Sequence, residues 1–353
     1  MNIVTPVDCF TGYGITGYNI WKHIYKRDDS TALFTINSLR TEDDWEKSNL
    51  SKSINNQSKF DPSKPCVKIW HAQDLIMKPY GQSKYGALTF FETDTISNKE
   101  KLGYEILDVI FAASGWAKGV LQNNNIKKDI VVCPQGVDTH VFDAHIPDDK
   151  PSDKFIFINI GKWEIRKGHD KLSEIFNRAF SSEDNVELWM INTNPFLNSE
   201  EHNSWINLYK NSVLGDKIRI FPRLPSQKIL SKVMSYADCG VFPSRAEGWN
   251  NEAIEIMAMN KPIIITNYSA HTEYCNSSNA YLVNIGSLEP ARDNMWFDGS
   301  GKWAHLGTDE IDQFVEHMRY VYKYNIRTNP KGLETAKTFS WDKTAKIIEQ
   351  NLS

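Results

Sequence analysis

The stretch CGVFPSRAEGWNNEAIEIMAMNKPIIIT, residues 239–266, decides how this chain folds. Two short apolar runs, Cys239–Pro243 and Pro262–Thr266, predict buried strands. Between them a polar turn leads into a segment of helical spacing that begins near Asn250. Strand, loop, helix and strand in this order form one unit of a parallel sheet covered on both faces. Glu247 then falls in the loop, and Glu255 lies about a turn and a half into the helix.

The alternation continues on both sides. Phe155–Ile160, Val186–Ile191 and Lys217–Phe221 read as strands, with helices over Lys167–Phe180 and Ser199–Ser212. Helical patterns at Ile311–Tyr324 and Trp341–Leu352 follow. Toward the N-terminus, Ile3–Val7, Ala32–Ile36, Val67–Trp70, Ala87–Phe91, Asp108–Ala113 and Ile130–Cys133 read as strands. The polar segment Arg40–Pro65 reads as a long irregular connection. Ala144–Lys154, with two prolines and a run of charge, reads as a linker. A chain of 353 residues suits two domains. The expected fold class is therefore α/β, with two Rossmann-like doubly wound domains facing an interdomain cleft. The expected divisions are 1–147, 151–330 and a C-terminal helical segment 331–353.

Composition narrows the function classes. Hydrophobic residues make up 41% and charged residues 24%, enough apolar material for two cores. A net charge of −4 with no basic stripe argues against nucleic acid as an obligate partner. Cys9, Cys66, Cys133, Cys239 and Cys275 are odd in number, far apart and without a C-x-x-C pair, which fits reduced thiols in a cytoplasmic protein and no zinc site. The N-terminus lacks the basic and apolar regions of a secretory leader, and no 18-residue apolar run predicts an integral membrane segment. The acidic pairs Asp28-Asp29, Asp43-Asp44 and Asp148-Asp149 read as solvated turns, and there is no D-x-D motif for a diphosphate-bound metal. Eleven Trp fit either aromatic cores or carbohydrate-sized clefts. Trp70, Trp116 and Trp249 are the ones placed where they could stack on a sugar or base, with a core role as the ordinary alternative.

The candidate chemistry follows from spacing. A helix N-terminus presents unpaired N–H groups and partial positive charge to a diphosphate. A loop carboxylate at Glu247 can hold a sugar hydroxyl, and Glu255 can grip a ribose diol. The same spacing also fits a plain strand–loop–helix with acids in its first turns. Upstream, Gly161-Lys162-Trp-Glu-Ile-Arg166-Lys167-Gly168 places glycines and cations between a strand and a helix, an arrangement that cradles phosphate oxygens. Gly12-Tyr13-Gly14-Ile15-Thr16-Gly17 has the G-x-G-x-x-G form of a dinucleotide fingerprint. No acid follows it over Thr31–Leu39, so a dehydrogenase reading is poor.

Residues 243–262 resemble the E-x7-E signature of retaining GT-B glycosyltransferases, in particular glycosyltransferase family four, whose usual form is P-S-x-x-E-G-F-G-L-x-x-x-E-A-M-A-x-G-x-P-V. Pro243, Ser244, Glu247, Gly248, Glu255, Met257, Ala258 and Pro262 are kept. Trp249-Asn250-Asn251 departs from it, and Asn260 replaces a glycine. Residues 161–168 resemble the family's G-R-x-x-x-x-K-G segment, with Lys162 in place of Arg, and Pro134-Gln-Gly-Val-Asp138, Ser114–Lys118 and Phe339-Ser-Trp341 match smaller family signatures.

The resemblance implies a retaining, metal-independent enzyme that needs no cofactor and uses a nucleoside-diphosphate sugar, such as a UDP-sugar, as co-substrate. Glu247 would contact the donor sugar and Glu255 the ribose. The amides of Asn250 and Asn251, with Lys162, Arg166 and Lys167, would meet the phosphates, approached from the other domain by Gly12 and Gly14. The N-terminal domain would take the acceptor, and the final helix would cross back onto it. His71 and Glu92, at strand ends, are candidate assisting groups, with structural roles as the alternative. The default acceptor is a glycan or lipid-linked saccharide. A hydroxymethylated base in DNA, as for phage-type enzymes, is an alternative acceptor, and a catalytically silent nucleotide-sugar-binding protein is the alternative of another class.

Overall fold

The computed structural model describes residues 1–353 except 43–44, 78–79, 82, 146–148 and 294. Asp43, Asp44 and Asp148 of the acidic pairs lie outside the described residues. The chain divides into two units, Met1–Gly136 with Phe339–Ser353, and Val137–Thr338.

The first unit carries six parallel strands: β1 (Asn2–Thr5), β2 (Ala32–Thr35), β3 (Cys66–Ile69), β4 (Tyr85–Thr89), β5 (Val109–Ala112) and β6 (Asp129–Val132). Their order across the sheet is β2-β1-β3-β4-β5-β6. Among the described residues four α-helices connect them: α1 (Gly12–Tyr25), α2 (Lys47–Asn55), α3 (Asn98–Glu105) and α4 (Gly115–Asn123). Helix α2 lies inside Arg40–Pro65, so the expected irregular connection is corrected. The segment looks polar because only one face is buried, at Leu50 and Ser53. The Ser53 hydroxyl accepts from Trp21 Nε1 at 2.9 Å and donates to Thr31 O at 2.7 Å, which fixes that face.

The second unit repeats the plan with β7 (Phe155–Gly161), α5 (His169–Ala179), β8 (Val186–Asn192), α6 (Ser199–Lys210), β9 (Ile218–Phe221), α7 (Gln227–Tyr236), β10 (Cys239–Phe242), α8 (Asn251–Ala258), β11 (Ile263–Thr266) and β12 (Tyr281–Val283). The strand order is β12-β11-β10-β7-β8-β9, all parallel. An antiparallel hairpin follows, β13 (Leu288–Arg292) and β14 (Asp298–Ala304), which the sequence did not suggest. Helices α9 (Thr308–Lys323), α10 (Pro330–Thr338) and α11 (Trp341–Leu352) close the chain.

The units divide at other residues than the linker reading placed them. Val137–Phe142 belong with the second unit, where Ser231 Oγ donates to Val141 O at 2.6 Å. Gly136 ends the first unit under Trp341, whose backbone nitrogen would be 2.1 Å from a Cβ there. The segment 331–353 is likewise split. Helix α10 stays in the second unit, and α11 completes the core of the first, burying Trp341, Ala345, Ile348 and Leu352 among Trp21, Ile24 and Phe111. Arg27 ties α1 to α11 through Asp342 and Glu349. All five cysteines are free and buried, and among the described residues no helix is long and apolar enough to cross a membrane.

Candidate functional site

In the second unit two loops meet at the carboxyl ends of β7 and β10. Glycine makes this approach possible. Gly161 has φ +146° and Gly168 φ +73°, left-handed values that suit glycine. A Cβ on Gly168 would stand 1.9 Å from Pro243 O, so only glycine lets the loop after β7 rest on the loop after β10. The backbone of Arg245 then donates to Arg166 O at 2.6 Å.

This contact gathers the predicted charges. Lys167 Nζ donates to Glu247 Oε1 at 2.8 Å, and Arg166 Nη1 donates to Glu247 Oε2 at 2.7 Å. Ser244 Oγ adds a bond to Oε1 at 3.0 Å. Arg166 also donates to Glu164 Oε2 at 2.7 Å, and Lys162 pairs with Glu164 Oε1 at 2.9 Å. Burial alone would push the Glu247 carboxyl up, but Arg166 and Lys167 more than reverse this and hold it well below the usual carboxylate range. Burial works against the Lys167 charge, and Glu247 restores it, leaving that pKa raised. Lys162 is the exception among the expected cations. Its side chain is half-exposed and reaches Glu164 rather than Glu247.

Asn250 and Asn251, where the sequence departs from the resembled pattern, open helix α8. Asn250 has φ +80° and caps the helix by accepting from Ala253 N. Asn260, the other departure, has φ +59° just past the helix. Both stand where glycine is usual in the resembled pattern, and Asn is the side chain that best tolerates this conformation. Among the described residues the backbone N–H groups of Gly248, Asn250 and Asn251 have no hydrogen-bond partner, although this segment is largely buried. The buried Asn251 Oδ1 also lacks one.

One turn along α8, Glu255 is 7% exposed and its carboxyl makes no hydrogen bond or ion pair among the described residues. Burial, with Glu252 adding, pushes that carboxyl well above the usual range. Native structures pair most buried polar groups. The unpaired N–H groups and the unpaired carboxyl of this short segment are groups that a polar ligand could satisfy.

Residues that sequence reasoning missed hold this segment from below. Ser269 Oγ accepts from Glu247 N at 2.9 Å, and Tyr274 Oη donates to Trp249 O at 3.1 Å. His271 Nδ1 bonds Thr266 O at 3.0 Å, which leaves Nε2 to accept from Asn250 Nδ2 at 3.0 Å. Under the other loop, Glu164 N donates to His169 Nδ1 at 3.2 Å, so Nε2 donates to Asn159 Oδ1 at 2.9 Å. Polar residues clustered after a strand end were the only signal for these in the sequence. The hairpin also braces the loops. Arg245 is bidentate to Asp170, at 2.7 and 2.9 Å, and bonds Glu289 of β13 at 2.8 Å, while Ala291 and Trp303 pack on Ala246.

Burial keeps both histidines neutral, lowering His271 to about 4 and His169 to about 3. A histidine with a lowered folded pKa contributes stability that is fully present above its unfolded value near 6.5 and is lost as pH falls toward the folded one. Stability should therefore drop between pH 6.5 and 4, by up to about 3 kcal/mol for His271. Denaturant melts across that range test this: His271→Gln should flatten the slope, and an unchanged slope would contradict it.

The first unit holds the remaining candidates. Gly12 opens α1 with open space around its Cβ position, whereas a Cβ on Gly14 would meet Asp8 O at 2.3 Å. Packing of α1 on its own strand turn thus already requires glycine at 14. The Tyr13 ring stands 4.9 Å from His71 and 5.2 Å from Trp70, and its hydroxyl accepts from Phe90 N at 3.1 Å. Glu92 is close enough for its charge to bear on Tyr13. Trp249 is buried, which fits its core alternative, and Trp70 and Trp116 are half-buried. Among the described residues no three His, Cys, Asp or Glu side chains group as a metal site.

Comparison with known proteins agrees with this architecture. Residues 143–291 match the family model described as glycosyl transferases group 1. A curated relative, an uncharacterised glycosyltransferase of Methanocaldococcus jannaschii, is 32% identical over 210 residues, which cover 55% of this chain and 48% of that protein. The chain thus matches about half the length of this relative. Among solved structures, sucrose-phosphate synthase of Thermosynechococcus elongatus superposes with a TM-score of 0.73 at 14% identity, over 99% of this chain and 97% of that one. Anabaena HepE, solved with UDP and glucose, gives 0.71 at 10% identity, over 100% and 99%. At such identities the likeness shows the fold. The chain has the GT-B fold, two Rossmann-like units each with a six-stranded parallel sheet.

Proposed function

We propose that this GT-B protein is a glycosyltransferase that takes a sugar from a nucleoside diphosphate and passes it to an acceptor hydroxyl. The observation that carries the reading is that, among the described residues, the N–H groups of Gly248, Asn250 and Asn251 and the Glu255 carboxyl have no partner, beside two buried cations. The free N–H groups of Gly248, Asn250 and Asn251 suit diphosphate oxygens at a helix N-terminus. The Glu255 carboxyl suits the ribose diol, and Glu247 a hydroxyl of the transferred sugar. The spacing of Glu247 and Glu255 supports kinship with glycosyltransferase family four and a retaining outcome.

Breaking the sugar–phosphate bond builds negative charge on the diphosphate and positive charge on the anomeric carbon. In this reading Lys167, Arg166 and the loop amides stabilise the first, without a metal. Glu247 has a second part to play: it keeps both cations charged and in place before the donor arrives. Lys162, half-exposed, adds a further point charge toward the phosphates. The first unit takes the acceptor, with His71 and Glu92 as its polar groups and Gly12 in an open turn at the start of α1. UDP is the first nucleotide to try, because HepE was solved with it. A glycan or lipid-linked saccharide is the default acceptor. A hydroxymethylated DNA base is the second reading, and a salt-dependent shift on duplex DNA would favour it.

Thermal-shift measurements with UDP, GDP, ADP and their sugars test the proposal. The matching nucleotide raises the melting point because it binds only the folded state, by about 2.7 kcal/mol of stabilisation at a hundred times its dissociation constant. Release of free nucleotide from the sugar then separates an enzyme from a silent binding protein. No shift with any of these ligands would defeat the reading.

A further inference from the structure

Ser269 has φ +54° and is 1% exposed, at the start of the short helical turn Ser269–Glu273 that follows β11. Among residues other than glycine, Asn and Asp are the ones that visit this left-handed region with ease, and serine is not one of them. Such a strained backbone persists only where its surroundings over-determine it. Glycine would take the same turn freely. What serine supplies and glycine lacks is the hydroxyl, and Ser269 Oγ accepts the Glu247 N–H at 2.9 Å. The turn then grips Glu247 from both sides, since Ala270 N donates to Glu247 O at 3.3 Å. Thr272 Oγ1 donates to Ser269 O at 2.8 Å and locks the strained residue.

We infer that Ser269 is a positioning residue, held in a strained conformation so that its hydroxyl occupies the Glu247 amide and aims the Glu247–Asn251 loop at the donor. The inference rests on the proposed function for what that loop contacts. Taking up the amide at Glu247 leaves the neighbouring N–H groups of Gly248, Asn250 and Asn251 as the ones open to a ligand. It also fixes the backbone from which the Glu247 carboxylate reaches Arg166 and Lys167. A loop free to tilt by one peptide would turn those donors away together.

Two substitutions separate positioning from plain stability. Ser269→Gly removes the bond and relieves the strain, so its melting point should stay within about 2 °C of the parent. Ser269→Ala removes the bond and keeps the strain, so its melting point should fall by about 3 °C or more. Positioning predicts that both variants behave alike in two other measurements. Hydrogen exchange of a peptide spanning 243–258 should quicken about tenfold at the Glu247 amide. The kcat for nucleotide-sugar turnover should fall about tenfold, with KM for the donor changed less than threefold.

Exchange as slow in Ser269→Gly as in the parent would overturn the inference, and so would parental kcat in that variant. A kcat that tracks melting temperature across the two variants would overturn it as well. Exchange is read on the purified protein without donor. If the parent turns over no nucleotide sugar, the functional reading fails while the exchange result still decides the role of Ser269.

Discussion

Glu255→Leu should raise the melting temperature while removing most of the affinity for a nucleoside diphosphate. The Glu255 side chain is largely buried and its carboxyl has no partner among the described residues, so folding strips most of its water and returns no bond. An unsatisfied buried polar group costs about 1–3 kcal/mol, and leucine at the same place avoids that cost. The melting point should rise by about 2–4 °C for each kcal/mol recovered. The gain has a definite pH dependence. A carboxyl whose folded pKa is raised costs nothing extra below the unfolded value near 4.3, and increasingly more as pH rises above it. The advantage of leucine should therefore be small at pH 4 and larger at pH 7. Affinity should fall in the other direction, because leucine offers no acceptor to the ribose hydroxyls, and each hydrogen bond lost contributes about 0.5–1.5 kcal/mol, or roughly twofold to tenfold. Calorimetric titration and thermal melts on one preparation decide it. A destabilised Glu255→Leu with unchanged affinity would show the carboxyl to be structural.

Glu247→Gln should lose on both counts. Its carboxylate is the shared partner of two buried cations, at 2.7 and 2.8 Å. Removing one member of a buried ion group leaves uncompensated charge and costs about 3–5 kcal/mol. That corresponds to a melting point lower by about 6–20 °C. Turnover should fall by about 10²–10³, the usual penalty for removing one group that stabilises charge in the transition state. A further consequence separates this site from an ordinary ion pair. With Glu247 neutral, Arg166 and Lys167 seek an anion, so inorganic pyrophosphate should raise the melting point of Glu247→Gln more than that of the parent. Equal shifts in both proteins would place the phosphates elsewhere.

Much of this architecture was legible in the residue order. Strands of the second unit such as Val186–Asn192 and Ile263–Thr266 are short, apolar and evenly spaced, so periodicity found them within a residue or two. The charged groups that meet at Glu247 were also visible, less from glycine beside cations, which is common on surfaces, than from the place of that segment between a strand and a helix ahead of the Glu247 loop. Helix α2 hid because its single buried face leaves an otherwise polar sequence. The hairpin Leu288–Ala304 hid because glycine, charge and proline dilute its alternation, and its partner is a loop rather than a sheet face. Ser269, His271 and Tyr274 could not have been picked out by pattern. Their value lies in one backbone angle and in which atoms of Glu247, Trp249 and Asn250 they reach, and no residue spacing encodes that. Lys162 shows the converse, a motif position whose side chain the fold turns toward Glu164.

The first unit is interrupted. Its core needs α11, yet the whole of Val137–Thr338 lies between Gly136 and that helix. On the ribosome, the six strands of the first sheet emerge with the Trp21 and Phe111 side of their core uncovered and wait roughly 10–40 s for the second unit to be translated. The second unit is continuous and can close as soon as it leaves the tunnel. A chaperone that attends synthesis of this chain would meet, on the first unit, the apolar surface that Trp341, Ile348 and Leu352 later cover.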